Sequence, residues 1–175
     1  MTSHKMVNPN TGIWWIPLAG LTSGSSPSAA QINAGTRISG AVTTGYSIGF
    51  KDSDVDKSKT VEDEGNVDTP TLKNYEGKIS LFKDDIGTGT QAAPVPSTIF
   101  TDATALFQVP YVEGWIVTRY GKKASVPVAA LDKVSTYRFK NDQPITMESA
   151  SGSPILVEVG FLAQGEAYPN VTCVA

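Results

Sequence analysis

The sequence predicts a mainly β protein: an antiparallel β-sandwich or barrel with one short flanking helix, an extended N-terminal arm and long loops. Several segments alternate apolar and polar residues, as strands with one buried face do. Clusters of Gly, Pro, Asn and Ser separate these segments, and only one segment has the periodicity of a helix. With 175 residues, 40% of them hydrophobic, the chain has enough apolar side chains for one core.

Residues 1–35 are predicted to form the N-terminal arm, because turn-forming residues surround their short apolar pieces. Residues 36–175 are predicted to form a single β-sandwich domain. The arm contains the adjacent Trp14 and Trp15, whose side chains point to opposite sides if the segment is extended. One core cannot bury both rings in that geometry, so the second ring needs another partner.

The strands are predicted from apolar alternation and from the turn residues between them. They are predicted at residues 36–50, 72–84, 113–123, 133–142, 153–161 and 167–175. Two long loops are predicted, at 51–70, which is rich in acidic residues, and at 85–98, where glycines and prolines prevent a regular ladder.

The only predicted helix follows the second of these loops. Asp102 is a candidate N-cap, and Ala103, Leu106 and Phe107 form an apolar stripe that ends at Pro110. A helix of about two turns is too short to be stable alone, so it is expected to pack on a sheet.

Charge and hydropathy argue against two classes of partner. The net charge of −3 does not favour a surface that neutralises nucleic-acid phosphates or anionic lipid. No run approaches the roughly 20 apolar residues of a membrane span, so no membrane association is expected. Residues 13–21 resemble a signal-peptide core, but Pro9, Gly12 and Pro17 interrupt its helix, so a mature chain from Met1 is expected.

Catalytic groups are scarce in the sequence. His4 is the only histidine and Cys173 the only cysteine, so neither a triad nor a zinc site of several His or Cys ligands is supported. Cys173 lies in an apolar strand and is expected to be a buried filler. We therefore expect no enzyme activity and no cofactor.

One acidic segment resembles a calcium loop. Asp52, Asp54 and Asp56 occupy its first, third and fifth positions, and Asp63 its twelfth. Lys57 replaces the glycine that the sharp turn of such a loop requires. A solvated acidic loop without bound metal is therefore expected.

Six segments resemble, in order and across nearly the whole chain, the major tail proteins of long-tailed phages that infect actinobacteria. They are "NPNTGIWWIPLAG", "INAGTRIS", "DEGNVDTPTLKNYEG", "EGWIVTRYGKK", "NDQP" and "FLAQGEAYPNVTCVA". The resemblance implies a β-sandwich subunit with a flanking helix. It also implies hexameric rings that stack into the tail tube, the conduit through which genome DNA is ejected.

A tube subunit buries apolar groups on its neighbours, which suggests a partner for the second tryptophan. One ring is expected on its own sandwich and the other on an adjacent subunit, with Trp14, Trp15, Ile16 and Leu18 as the subunit interface. The alternative is that both rings lie in one irregular pocket of their own domain.

A DNA conduit also needs a wall that does not hold DNA, because a lysine-lined bore would bind the duplex along its length. Small polar and acidic residues on the polar faces of the alternating strands are the candidate lumen lining. They are Ser39, Thr43, Ser47, Glu76 and Glu158. An ordinary solvent-facing sheet surface explains each of them equally well.

The resemblance implies further copies of the chain as the main partners. It also implies a tape measure protein, a tail terminator and tail-tip proteins, with DNA passing through the lumen without sequence-specific binding. The expected location is the virion tail, and the host cytoplasm during assembly. The alternative function is a β-sandwich receptor- or carbohydrate-binding module of a phage tail, and an enzyme comes third.

Overall fold

The computed structural model describes residues 10–52, 54–56, 69–72, 74–83, 98–147 and 155–175. This part of the chain is mostly β, with one antiparallel eight-stranded sheet, a separate two-stranded sheet and two short α-helices. The predicted mainly β fold class is therefore confirmed.

The strands and helices are numbered in chain order. The strands are β1 (Thr11–Pro17), β2 (Thr36–Arg37), β3 (Ser47–Phe50), β4 (Asp54–Asp56), β5 (Thr69–Leu72), β6 (Tyr75–Phe82), β7 (Glu113–Tyr120), β8 (Lys133–Asn141), β9 (Ile145–Met147) and β10 (Leu156–Thr172). The helices are α1 (Ala29–Ala34) and α2 (Thr98–Leu106), with a 3-10 turn at Leu18–Gly20. The large sheet has the order β2-β1-β7-β8-β10-β6-β3, and β9 pairs with β10.

Residues 38–43 connect the two ends of this sheet. The amide of Ile38 donates to the carbonyl of Ile13 in β1 at 2.9 Å, and the amide of Thr43 donates to the carbonyl of Ser80 in β6 at 2.8 Å. The sheet therefore curves round an enclosed inner face, as in a barrel.

The inner face carries an aromatic core. It contains Ile13, Trp15, Ile38, Ala41, Tyr75, Ile79, Leu81, Ala103, Phe107, Ile116, Tyr137, Phe139, Val157, Val159 and Phe161. Helix α2 covers part of it, because Ala103 of the helix is buried in this core. Phe107, directly after the helix, has its ring 5.2 Å from that of Trp15 and 5.5 Å from that of Phe161. The predicted packing of this helix on the sheet is confirmed.

The outer face of β1, β7 and β8 carries a second core. It contains Trp14, Ile16, Leu21, Ala29, Ile32, Trp115, Val117, Val128, Val134 and Cys173. Helix α1 contributes to it and is capped by Ser28, whose Oγ accepts a hydrogen bond from the amide of Ala30 at 3.2 Å. The fold thus has two apolar cores on opposite sides of one set of strands.

The described part of the predicted arm, residues 10–35, does not lie outside the core. Its residues 11–17 form β1, which pairs with β2 on one side and with β7 over its whole length on the other. The sequence prediction was wrong here because both faces of β1 are buried, so the strand shows no polar alternation. Residues 1–9 lie outside the described part.

Several predicted boundaries also need correction. Residues 36–50 are two strands, β2 and β3, joined by the connecting segment 38–46. The predicted loop 51–70 contains β4 and part of β5, which pair with each other, whereas most of 85–98 lies outside the described residues. The two last predicted strands are one strand, β10, with pairing irregularities on either side of Ala167.

The helix prediction was incomplete in two ways. Asp102 lies inside α2 instead of capping it, because the helix begins at Thr98. The second helix, α1, was missed because it has only six residues and packs on a core that the sequence did not predict.

Candidate functional site

Trp14 and Trp15 are covered within a single chain, one in each core. Trp15 is 2% exposed and lies 5.2 Å from Phe107 between ring centroids. Trp14 is 3% exposed, and the guanidinium carbon of Arg119 lies 5.3 Å from the centroid of its ring. Opposite orientations along β1 therefore lead to two cores, without any need for a neighbouring subunit.

Three of the four residues predicted to form the subunit interface are buried within the single chain. Trp14, Trp15 and Ile16 are all buried in the single chain, so they have no surplus apolar surface. Only Leu18 is exposed, at 38%, in the 3-10 turn after β1. The argument that the second tryptophan needs another subunit was wrong, because it assumed one core.

A buried ion pair holds the loop over Trp14 and was missed by sequence reasoning. The Arg119 guanidinium donates to the Asp132 carboxylate at 3.2 Å, and both side chains are less than 10% exposed. Its other hydrogen bonds go to the carbonyls of Lys123, Val126 and Pro127, at 2.9, 2.7 and 3.0 Å. One arginine thus fixes residues 121–132 against the outer core.

Asp132 remains ionised in this environment. Burial disfavours its charged form. Hydrogen bonds from Lys122, from the amide of Ala129 and from Arg119, together with the positive charge of Lys122, outweigh burial and lower the pKa of Asp132. Asp132 lies 13 positions from Arg119 and 10 from Lys122 in the sequence. Such a separation produces no short sequence motif, so the sequence did not predict this ion pair.

Four of the five candidate lining residues lie along one region of the large sheet. Ser47 of β3 is paired with Lys78 of β6, and Glu158 of β10 is paired with Ser80 of β6. Glu76 lies on the same face of β6 as Lys78, and the Thr43 amide bonds to the Ser80 carbonyl. We call the outer surface of β3, β6 and the start of β10, with Lys51, the polar face.

The charges on the polar face form ion pairs. Lys51 Nζ lies 2.5 Å from Glu76 Oε2, and Lys78 Nζ lies 2.9 Å from Glu158 Oε1. The hydrogen bond to Glu76 and the charge of that carboxylate raise the pKa of Lys51. Two lysines and two glutamates give this group of charges a sum of zero.

Ser39 lies apart from Ser47, Glu76 and Glu158. With Thr43 it lines a cleft at the end of β1 that holds Thr11. The Oγ of Ser39 is buried and has no hydrogen-bond partner within the described part of the chain. The smooth alternation read for residues 36–50 fails here because the chain turns between β2 and β3.

The described residues contain no group of three or more His, Cys, Asp or Glu side chains able to hold a metal ion. Of the candidate calcium ligands, Asp54 and Asp56 belong to β4, and Asp63 lies outside the described residues, as does His4. Cys173 is 1% exposed, and burial raises the pKa of its thiol, which keeps it protonated.

Within the described ranges, no helix is long and apolar enough to cross a membrane. A family model described as "Phage tail tube protein" matches residues 1–175. No curated protein matches the chain.

Proposed function

Because the chain belongs to the phage tail tube protein family, we propose that its copies form hexameric rings that stack into the tail tube and conduct genome DNA during ejection. Family membership makes it a structural protein of the phage tail that assembles with other tail proteins. The ring, its six-fold symmetry and the passage of DNA are the parts that we propose.

The observation that carries the proposal is the neutral, ion-paired polar face. Duplex DNA carries about one negative charge per 1.7 Å of its axis, so a bore with free lysines would hold the duplex at every ring. Here Lys51 and Lys78 each contact a glutamate on the same face. We propose that this face lines the lumen, with Ser47, Glu76 and Glu158 towards the DNA.

The pairing of these charges also explains why the face need not be strongly acidic. The electric field of a neutral wall with alternating positive and negative charges falls off within a short distance. Under physiological conditions salt also screens charges with a Debye length of about 8 Å. DNA can therefore pass without being bound and without strong repulsion. Ser39 and Thr43, which line the cleft at the Thr11 end of β1, are not part of this proposed lining.

The proposed partners follow from the same role. Neighbouring copies form the tube, and the tape measure, tail terminator and tail-tip proteins contact its lumen or its ends. DNA passes without sequence-specific binding. We further propose a long-tailed phage of an actinobacterial host, with assembly in the host cytoplasm and residence in the virion tail.

The direct test is electron microscopy of the purified protein across a range of concentrations. We expect rings with six-fold symmetry and hollow tubes built from them. A protein that stays monomeric at all concentrations, and instead binds host-cell surfaces or glycans, would contradict the proposal and favour a receptor- or carbohydrate-binding module.

A further inference from the structure

Tyr111 combines an exposed aromatic ring with a strained backbone. Its φ is 65°, in the left-handed region that bulky residues rarely adopt, and 57% of the residue is exposed. Its neighbours Val109 and Val112 are 63% and 37% exposed. We call residues 109–112 the tyrosine loop. Strained backbone that carries apolar side chains into solvent is typical of binding sites.

Asn141 fixes the tyrosine loop. Its side chain accepts a hydrogen bond from the amide of Val112 at 2.7 Å and donates one to the carbonyl of Val109 at 2.9 Å. Its carbonyl accepts from the amide of Tyr111 at 2.8 Å, and its own amide donates to the carbonyl of Val112 at 3.1 Å. Asn141 is fully buried, so four hydrogen bonds fix the backbone of the loop that carries Tyr111.

A cleft of about 380 Å³ lies elsewhere on the same chain. Ile13, Val42 and Tyr46 contribute apolar surface to it, and the exposed Thr44 lies among its lining residues. Its volume is within the range of roughly 300–1,000 Å³ that is typical of pockets enclosing small molecules. It therefore has room for one aromatic side chain.

The tyrosine loop and the cleft lie at opposite ends of β7. The loop directly precedes Glu113, where β7 begins, whereas Thr11 of the cleft is paired with Tyr120, where β7 ends. Eight residues of strand span about 26 Å. A translation along β7 therefore brings the tyrosine loop of one copy to the cleft of another.

We propose that Tyr111 of one copy docks in the cleft of the next copy, so that these surfaces form a head-to-tail contact of the tube. This rests on the proposed function, which supplies the second copy as the occupant. A protrusion and a cavity at different places on one chain make a heterologous contact, and repetition of such a contact builds a ring or a filament. Tyrosine is also among the residues that contribute most to protein interfaces.

The test is a disulfide between engineered cysteines in assembled protein. Cys173 is the only native cysteine and is buried, so the double variant Tyr111→Cys/Thr44→Cys offers one accessible pair. We expect mild oxidation of its tubes to give a ladder of covalently linked chains. The control is Leu131→Cys/Thr44→Cys, because Leu131 also has a positive φ, 70°, and is 80% exposed.

A second measurement compares Tyr111→Ala with Leu131→Ala. Both variants remove an exposed apolar side chain at a left-handed residue, so their effects on backbone strain are matched. We expect Tyr111→Ala alone to raise the concentration needed for assembly by about tenfold or more. Equal effects of the two variants would contradict the docking of Tyr111.

The remaining outcomes separate the inference from the proposed function. Tubes that form normally but give no link between positions 111 and 44 overturn the docking contact and leave the tube role intact. Absence of tubes from the wild-type protein under all conditions overturns both.

Discussion

The two cores of this protein are built differently, although they share the strands β1, β7 and β8. The inner core is aromatic and enclosed by the curved sheet, with Trp15, Phe107 and Phe161 in mutual ring contact. The outer core depends on a charged clamp, in which Arg119 and Asp132 hold a loop over Trp14. Apolar packing is independent of pH, whereas a buried ion pair is not, so the two cores should respond differently to the same change in conditions.

The strand that both cores share gives the largest expected effect. Deletion of residues 1–20 removes β1, and with it Trp14 and Trp15 from their two cores. We expect the deleted chain to fail to fold, since truncation of one core tryptophan alone costs about 3–5 kcal/mol. Circular dichroism and thermal melting of the purified variant measure this.

The control for that deletion is Leu18→Ala, in the exposed turn after β1, which should change stability by less than about 0.5 kcal/mol. A deleted chain with native strand content and a cooperative melt would show that residues 1–20 are a dispensable arm, as their composition had indicated.

The outer core alone should lose stability in acid. The pKa of Asp132 is lowered in the folded protein, so its contribution is complete above the ordinary pKa of an aspartic acid. The contribution declines as the pH falls through that value and is lost below the folded-state pKa. Asp132→Asn should destabilise the protein by roughly 3 kcal/mol at neutral pH, because it leaves the charge of Arg119 buried without a counter-ion.

Urea unfolding of wild type and Asp132→Asn between neutral and acidic pH tests this, and the difference between them should shrink as the pH falls. Glu113→Gln is the matched control, because the Glu113–Arg138 pair is about one quarter exposed and should contribute much less than the buried pair. A constant difference at all pH values would assign the effect of Asp132 to packing instead of charge.

The contrast between the cores also shows what the sequence could predict. Tyr75, Ile79 and Leu81 were placed on one face of β6, because one side of that strand is apolar and the other polar. The same rule failed for β1, where both faces are buried, and for residues 36–50, where alternation continues through a turn. Period-two alternation detects a strand with one buried face and no other kind.

The candidate site likewise has features that the sequence predicts and features that it does not. Glu76 and Glu158 could be assigned to polar strand faces from their alternation, and the structure places them opposite Lys51 and Lys78. The ion pairs themselves depend on strand order, and the Arg119–Asp132 clamp depends on the path of a loop. Neither is encoded in any short stretch of sequence, so neither was predicted.

The smallest effect on stability, and the most informative one about the polar face, is expected from Glu158→Lys. Glu158 is paired with Ser80 and contacts Lys78, and its side chain is 23% exposed. The substitution changes the charges of the polar face from two lysines and two glutamates, with a sum of zero, to three lysines and one glutamate, with a sum of +2. Loss of one partly exposed ion pair should cost about 1 kcal/mol or less.

If the polar face lines the lumen, those two charges recur in every subunit along the path of the DNA. A Debye length of about 8 Å lets a duplex close to the wall interact with them, and repetition along the tube multiplies the attraction. We therefore expect virions with Glu158→Lys to assemble tubes of normal appearance and to eject their genomes slowly or incompletely. Asp102→Lys, at an exposed position of α2 outside the strands of the polar face, makes the same change in charge and is the matched control. Normal ejection by Glu158→Lys virions with intact tubes would place the polar face on the outside of the tube. Equal slowing of ejection by both variants would mean that the total charge of the subunit matters and the position of the charge does not.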